Sequence, residues 1–268
     1  MKQEIIAWLT CDIISLSLET LSDNFNQHSA HMNIFQNCTS SIVNTTLFNA
    51  SERELLQIKQ CVGQMTRSCE DSSMLVLKFI RLNMTDAADL LPYFPNMKIV
   101  HLVRDPRAVI VSRDQLTAKG PEATVPEFCS RMRQNLRETT RLMLEDRSRV
   151  TVMHYEDMAE TPLAEAKNLY SALGINFTGT IELYIKSLTE ASLETCEFCI
   201  ERKNSSLVAA AWRNKIQPST NTVINSECGD VMNVLGYIQL ASSELENQTL
   251  QCRIHQNTDD ILASYDIK

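Results

Sequence analysis

The pattern of hydrophobic and polar positions along the chain predicts strands that alternate with helices. Three apolar segments rich in β-branched residues, at 73–82, 98–103 and 149–157, predict strands. The middle segment, KIVHLV, has no polar alternation apart from His101. This pattern is typical of a strand that is covered on both faces, as in a parallel sheet.

Helical periodicity predicts most of the remaining chain. Helices are expected at 1–35, 52–66, 85–92, 106–116, 126–147, 162–173, 178–189, 205–216 and 219–235. The polar segment 36–52 predicts an exposed loop. Strands that alternate with helices favour an α/β fold with three layers, in which helices flank a mostly parallel sheet. No convincing boundary interrupts residues 1–268, so a single domain is expected.

Charge and cysteine content narrow the class of protein. The net charge of −8 is a poor basis for general nucleic-acid binding, which needs a basic face, although it allows a local basic pocket for one anion. Nine cysteines spread along the chain suit disulfides in an oxidising compartment, and the odd number leaves at least one without an intrachain partner. Cys196 and Cys199 form a lone C-x-x-C pair, for which zinc or redox chemistry is the weaker alternative.

Seven N-glycosylation sequons point to the same compartment, since such acceptors matter only in a secretory lumen. They begin at Asn37, Asn44, Asn49, Asn83, Asn176, Asn204 and Asn247. The first residues show neither a signal peptide nor a membrane span, because charged and polar residues interrupt the apolar patch. We therefore expect a lumenal protein whose anchor lies outside this chain.

The exit of the strand at 98–103 carries the most informative chemistry. Ligands of open parallel sheets bind beyond the carboxyl ends of the strands, where Arg104 is expected. Asp105 can cap the next helix and Pro106 suits its first turn, so free N–H groups face the same crevice. A phosphate there could accept a forked pair of hydrogen bonds from Arg104 and one from Ser112. The alternative is that Arg104 pairs with a nearby acid and Ser112 is an ordinary surface residue.

The segment LVRDPRAVIVSR resembles the 3′-phosphate-binding segment of sulfotransferases that use 3′-phosphoadenylyl sulfate (PAPS). It is most similar to the Golgi carbohydrate 6-O-sulfotransferases that act on N-acetylglucosamine, galactose or N-acetylgalactosamine. In that family an arginine and a serine eight residues later hold the phosphate, and Arg104 and Ser112 have this spacing. Further segments resemble the family in the same order: WLTCDI (8–13), VLKFIRL (76–82), HYEDMAETP (154–162), KNSSLVAAAWR (203–213) and LGYI (235–238).

The resemblance implies a P-loop-like sulfotransferase fold, PAPS as co-substrate, no metal, and a glycan acceptor containing one of those sugars. It also implies a single-pass type II membrane protein of the Golgi lumen. The cofactor-binding residues that it implies are Arg104, Asp105, Arg107, Ser112 and Lys203. Lys203 stands where the family has an arginine, and a lysine keeps the charge but loses the bidentate fork. A glycan on Asn204 would obstruct this segment, so we expect Asn204 to be unmodified in a working site.

Half of the family's site has no counterpart in the chain. The family's RSGSS-like loop, which cradles the 5′-phosphosulfate, and the glutamate that is its usual candidate base follow its first strand. The chain has no Arg-Ser-Gly-Ser segment and no glycine before Gly63. We therefore expect the first strand, the loop and the base to be missing, leave the catalytic residue unassigned and expect no turnover. An incomplete enzyme and an inactive lumenal glycoprotein that keeps the 3′-phosphate half-site both remain open, whereas a nucleotide kinase would need a Walker A loop, which is absent.

Several other polar residues admit two interpretations. Lys78 and Arg81 could face the sulfuryl group or the acceptor, or could form structural ion pairs. Glu156 and Asp157 could act as an acid and a base. The favoured interpretation is structural: these two residues cap a helix and brace the crevice.

For the remaining candidates the structural interpretation is favoured. Arginines on one face of the helix at 126–147 are expected to pair with Glu138 and Glu145 rather than bind an anionic glycan: Arg133, Arg137 and Arg141. Trp212 is expected in the core rather than in a stacking platform, and His101 and His154 are expected to be packed or capped.

Overall fold

A computed structural model of the chain describes residues 2–22, 30–40, 52–114, 124–190, 202–247 and 250–254. The chain divides into two compact units, Met1–Leu82 and Asn83–Lys268. All five residues for which a cofactor-binding role is predicted lie in the second unit. The expectation of a single domain stays a prediction.

The first unit is helical. Its helices are α1 (Lys2–Leu9), α2 (Leu18–Ser22), α3 (Ala30–Ser40) and α4 (Glu52–Glu70), with a short 3₁₀ helix at Ile13–Ser15. Buried residues of α4 recur at helical spacing, at Ile58, Cys61, Val62 and Met65, and pack with Phe35 and Ile13. Two disulfides close this core, Cys11–Cys69 and Cys38–Cys61.

Three expectations for the first unit are wrong. The helix predicted at 1–35 is not continuous, because α1 ends at Leu9 and α2 begins at Leu18. The predicted loop at 36–52 begins as helix, because α3 continues to Ser40; residues 41–51 lie outside the described part. The predicted strand at 73–82 does not form, and several of its apolar side chains are solvent-exposed, with Val76 at 80% and Ile80 at 79%. β-branched residues favour a strand only where a neighbouring strand and a packed face complete it, and none of the described strands pairs with this segment.

The second unit confirms the α/β class. The two strands among its described residues, β1 (Ile99–Val103) and β2 (Val150–His154), are parallel. Its helices are α5 (Met84–Ala88), α6 (Pro106–Asp114), α7 (Val125–Glu145), α8 (Tyr155–Glu160), α9 (Pro162–Leu173), α10 (Gly179–Thr189), α11 (Ser205–Ala210), α12 (Pro218–Glu227), α13 (Gly229–Val234) and α14 (Ser242–Leu245), with a 3₁₀ turn at Ala211–Asn214. Most of these bounds lie within two residues of the predicted ones.

The strand pair is covered on one face only. Ile99 pairs with Val150 and Val103 with His154, so side chains of registered partners share a face. The face that carries Val103 and Val150 packs against α7. On the other face, Leu102 is 53% exposed. The expectation that both faces of β1 are covered is therefore wrong for the described residues.

Helix α7 organises the core of the second unit. Its buried residues recur at helical spacing, and α7 contacts β2 and α12; these residues are Val125, Cys129, Leu136, Thr139, Thr140, Leu142 and Met143. A disulfide joins Cys129 to Cys228, 99 residues later, and confirms the expected use of cysteines in disulfides. Cys252 forms no disulfide with a described cysteine, and the Cys196/Cys199 pair lies outside the described residues. Within the described ranges, no helix is long and apolar enough to cross a membrane.

His101 predicts a measurable dependence of stability on pH. Its Nδ1 lies 2.8 Å from Thr139 Oγ1, and burial lowers the pKa of the imidazole from 6.5 to about 4. The folded state favours the neutral His101 ring. The contribution of His101 to stability is therefore complete above pH 6.5 and is lost as the pH falls towards 4. We expect the free energy of unfolding to fall by up to about 3 kcal/mol over this range. Urea denaturation at a series of pH values measures it.

The control for this prediction is His101→Phe, which keeps an aromatic ring but cannot take up a proton. Carboxylates also titrate between pH 4 and 6.5 and affect both proteins, so the informative quantity is the difference between the two pH profiles. Parallel profiles would show that His101 does not carry the predicted linkage.

Candidate functional site

Arg104 leaves the sheet at the end of β1 and is the centre of the candidate site. Its guanidinium carbon lies 4.2 Å from the centroid of the Tyr155 ring, and its Nε is buried without a hydrogen-bond partner. No described carboxylate forms an ion pair with Arg104. Within the described structure, the alternative in which an internal acid neutralises Arg104 is therefore not observed.

Asp105 and Arg107 form a buried ion pair that fixes the turn after Arg104. The Asp105 carboxylate accepts hydrogen bonds from the Arg107 backbone N–H at 2.9 Å and from the guanidinium Nε and Nη2 at 3.0 and 2.7 Å. The predicted capping of α6 by Asp105 is thus observed, and α6 begins at Pro106 as predicted. Since Asp105 is 1% and Arg107 0% exposed, any part they take in cofactor binding acts through the turn.

Glu156 braces the same turn from the end of β2. Its Oε1 accepts a hydrogen bond from the Asp105 backbone N–H at 3.0 Å, and its Oε2 accepts one from the Tyr237 hydroxyl at 2.8 Å. Burial raises the pKa of the Glu156 carboxyl, and these two hydrogen bonds counter the shift in part. Both oxygens are engaged inside the fold, which supports the brace rather than an acid–base role.

Asp157 and His154 belong to a second buried set of contacts. Asp157 pairs with the Arg253 guanidinium, and one of its oxygens lies 3.8 Å from His154 Nδ1. His154 Nε2 lies 3.3 Å from the Leu235 carbonyl oxygen. These contacts support the expectation that His154 is a packed histidine.

Ser112 lies on the exposed side of α6. It stands six residues after Pro106, which corresponds to about 9 Å along the helix axis. Its hydroxyl forms no hydrogen bond with any residue of the described ranges, so it is available to a ligand. Its predicted role in binding phosphate stays a prediction.

Lys203 is exposed and lies two residues before α11. Asn204 caps this helix, because its Oδ1 accepts a hydrogen bond from the Leu207 N–H at 3.0 Å. The Ser205 hydroxyl donates to the carbonyl oxygen of Ala159 at 2.6 Å and so holds α11 against α8. The segment that carries Lys203 is thereby anchored to the helix whose first residue, Tyr155, contacts Arg104.

Trp212 lies in the core beneath the turn that carries Arg107. It is 6% exposed, and the guanidinium carbon of Arg107 lies 4.8 Å from the centroid of its ring. The expectation that Trp212 belongs to the core is confirmed. The contact also explains why two segments that are distant in sequence, at 104–107 and 203–213, are held together.

The remaining candidates have structural partners or lie elsewhere. Arg141 pairs with Glu138 and Glu145, as expected for a solvated helix face. Arg133 pairs with Asp230 instead, and Arg137 forms no ion pair with a described residue. Lys78 and Arg81 are exposed residues of the first unit and form no ion pair with a described residue. Among the residues that the structure describes, no cluster of histidine, cysteine and carboxylate groups could hold a metal ion.

Sequence reasoning missed Tyr155 and Tyr237. The signal for Tyr155 was present, since it directly follows β2 just as Arg104 directly follows β1. Knowledge of the register between the strands was needed to use that signal. Tyr237 contacts Glu156 from 81 residues away, and no local pattern indicates such a contact.

Comparison with known proteins defines the class to which this fold and site belong. Residues 16–179 match the model of the Sulfotransferase family, which covers more than half of the chain. The chain therefore belongs to the sulfotransferase family. The match includes β1, Arg104, α6 and β2, whereas Lys203 lies beyond it.

The individual relatives are carbohydrate sulfotransferases. Over 191 residues the chain is 28% identical to carbohydrate sulfotransferase 3 of Mus musculus, covering 63% of this chain and 40% of the relative. It is 31% identical over 216 residues to carbohydrate sulfotransferase 5 of Mus musculus, with 70% and 54% covered. It is 30% identical over 206 residues to carbohydrate sulfotransferase 6 of Homo sapiens, with 66% and 51% covered. The aligned region thus spans about half the length of these relatives.

The buried Asp105–Arg107 pair predicts a large loss of stability when one partner is removed. Arg107→Met leaves the Asp105 carboxylate buried without its counter-charge, so we expect the free energy of unfolding to fall by about 3–5 kcal/mol. Chemical denaturation of the purified protein measures the loss. Arg137→Met removes an exposed arginine of α7 and is the matched control, with an expected change within about 0.5 kcal/mol. Equal stability of the two variants would contradict the assigned role of the pair.

Proposed function

We propose that the protein is a carbohydrate sulfotransferase that uses PAPS to sulfate a glycan sugar at its 6-hydroxyl. The observation that carries this proposal is the guanidinium of Arg104, which has no carboxylate partner among the described residues and lies at the exit of a parallel strand in a chain of the sulfotransferase family. The names of the relatives support a carbohydrate acceptor. The donor and the 6-position follow from the resemblance of the segment 102–113 to the 3′-phosphate-binding segment of that family.

The local electrostatics suit the 3′-phosphate of the donor. In the proposed complex, Arg104 donates a forked pair of hydrogen bonds to two phosphate oxygens. The N-terminus of α6 adds partial positive charge, and the Ser112 hydroxyl donates a further hydrogen bond. Lys203 supplies a second cation from the segment anchored on α8. These groups would create a local anion site on a chain with a net charge of −8.

The proposed half-site explains binding better than turnover. In the reaction, the sugar hydroxyl oxygen forms a bond to sulfur, the bond between sulfur and the bridging phosphosulfate oxygen breaks, and a base accepts the hydroxyl proton. Glu156 is a poor base because both its oxygens accept internal hydrogen bonds. The chain also contains no Arg-Ser-Gly-Ser segment to cradle the phosphosulfate. For this chain by itself we therefore expect nucleotide binding without sulfuryl transfer.

We propose the Golgi lumen as the site of action. Three disulfides among the described cysteines and seven sequons in the sequence support an oxidising secretory compartment. The acceptor would be a glycan that contains N-acetylglucosamine, galactose or N-acetylgalactosamine. A type II membrane anchor in the full-length protein is part of the same proposal, and it rests on the family resemblance.

The proposal predicts selective binding of 3′,5′-ADP, the product that keeps both phosphates of the donor nucleotide. We expect Arg104→Ala to weaken binding roughly a hundredfold, since it removes two charge-assisted hydrogen bonds. Arg104→Lys keeps the charge without the fork and should lose about tenfold. Ser112→Ala, which removes one neutral donor, should lose about threefold to tenfold. Isothermal titration calorimetry provides the dissociation constants.

Two controls separate phosphate recognition from general effects. The first control is adenosine 5′-diphosphate, which carries both phosphates at the 5′-position and none at the 3′-position. It should bind weakly, and Arg104→Ala should leave that weak binding unchanged. Arg137→Ala removes an exposed positive charge elsewhere and should bind 3′,5′-ADP like the parent. The proposal is overturned if the parent protein does not distinguish the two nucleotides, or if Arg104→Ala binds 3′,5′-ADP as tightly as the parent.

A further inference from the structure

We propose that Tyr155 is the positioning residue for Arg104: its ring face holds the guanidinium in place without neutralising it. The inference rests on the proposed function, because it assigns Tyr155 a role in the same phosphate-binding site. Neither the family match nor the resemblance of the segment at 154–162 gives this tyrosine a role.

The register of the strands places the two residues side by side. Val103 and His154 are the last registered pair of β1 and β2, so Arg104 and Tyr155 leave the sheet as neighbours. The guanidinium carbon then lies 4.2 Å from the centroid of the Tyr155 ring, within the range of a cation–π contact. The contact follows from the pairing of the strands and does not depend on a flexible loop.

A ring is a suitable partner for a binding arginine because it uses none of the arginine's hydrogen bonds. The five N–H donors of a guanidinium lie in its plane, whereas a stacked ring covers one face. A carboxylate partner would occupy two donors and cancel the charge that a phosphate needs. No nitrogen of the Arg104 guanidinium donates a hydrogen bond to a described residue, and its Nη groups, unlike Nε, are not buried, so they are left for a ligand.

The residue after Tyr155 restrains the residue after Arg104. Glu156 accepts a hydrogen bond from the Asp105 backbone N–H and another from the Tyr237 hydroxyl. Tyr155 thus contacts the side chain of Arg104, and Glu156 binds the backbone of Asp105. Two consecutive residues of α8 hold two consecutive residues of the β1–α6 turn. This arrangement fixes both ends of the Arg104 side chain: its backbone origin and its guanidinium.

A double-mutant cycle on 3′,5′-ADP binding tests the inference. Tyr155→Leu removes the ring and should weaken binding about threefold to thirtyfold. Tyr155→Phe restores the ring and should recover the affinity of the parent. In an Arg104→Ala background, Tyr155→Leu should have no further effect, because Tyr155 acts through Arg104. Tyr184→Leu, at an exposed tyrosine of α10, is the matched control and should bind like the parent.

A second measurement detects the stack without a ligand. A proton on the face of an aromatic ring experiences a ring-current shift, so the side-chain protons of Arg104 should resonate upfield in the parent and in Tyr155→Phe. In Tyr155→Leu they should return to ordinary positions. Assigned NMR spectra of the three proteins provide this comparison.

The outcomes separate the inference from the proposed function. If the parent binds 3′,5′-ADP and Arg104→Ala loses it, but Tyr155→Leu binds like the parent, the inference fails and the function stands. Equal weakening by Tyr155→Leu in the parent and in the Arg104→Ala background also overturns it, since that result indicates a general structural role. Ordinary Arg104 proton shifts in the parent show that the stack does not exist. If the parent binds no 3′,5′-ADP, the proposed function fails, and with it the binding role of Tyr155.

Discussion

The in-register parallel pairing of β1 and β2 is the constraint on which the candidate site depends. Because Val103 and His154 end the two strands together, the chain brings Arg104 and Tyr155 out of the sheet at the same edge. β2 then passes directly into α8, whereas β1 reaches α6 after the turn formed by Arg104 and Asp105. A shift of the register by one residue would move every side chain of one strand to the other face and separate the arginine from the ring.

One buried and one half-buried carboxylate stabilise this edge at an energetic cost. Asp105 faces the guanidinium of Arg107, and Glu156 has only hydrogen-bond donors, from the Asp105 amide and the Tyr237 hydroxyl. Burial disfavours the charged form of a carboxylate, and for Glu156 this effect outweighs the two hydrogen bonds that it accepts, so its pKa is raised. The gain is geometric, since these bonds fix the backbone on the carboxyl side of Arg104. Functional sites commonly retain such unfavourable groups in exchange for a defined geometry.

Local rules were sufficient to predict the exit of β1 but not its surroundings. The signals for this exit all lie close together in the sequence: the apolar run, the Asp-Pro start of the helix and the spacing from Arg104 to Ser112. The structure confirms both the end of the strand and the start of α6. The strand predicted at 73–82 failed because composition cannot supply a pairing partner. The expectation that both faces of β1 are covered failed for a similar reason. An apolar residue such as Leu102 predicts burial, but the sequence does not show which element would cover it, and Leu102 is exposed in the structure.

Arg104 differs from several other arginines of the second unit in what its guanidinium contacts. Arg107, Arg133 and Arg141 each face a carboxylate, so their charges are used within the fold. Arg104 faces an aromatic ring, keeps its charge and has a buried donor without an acceptor. A half-buried cation with no counter-ion is unfavourable in isolation, because its desolvation is not compensated. An anion that docks at the edge of its guanidinium would remove that penalty, and the sulfotransferase family to which the chain belongs supports a phosphate of the donor nucleotide in that position.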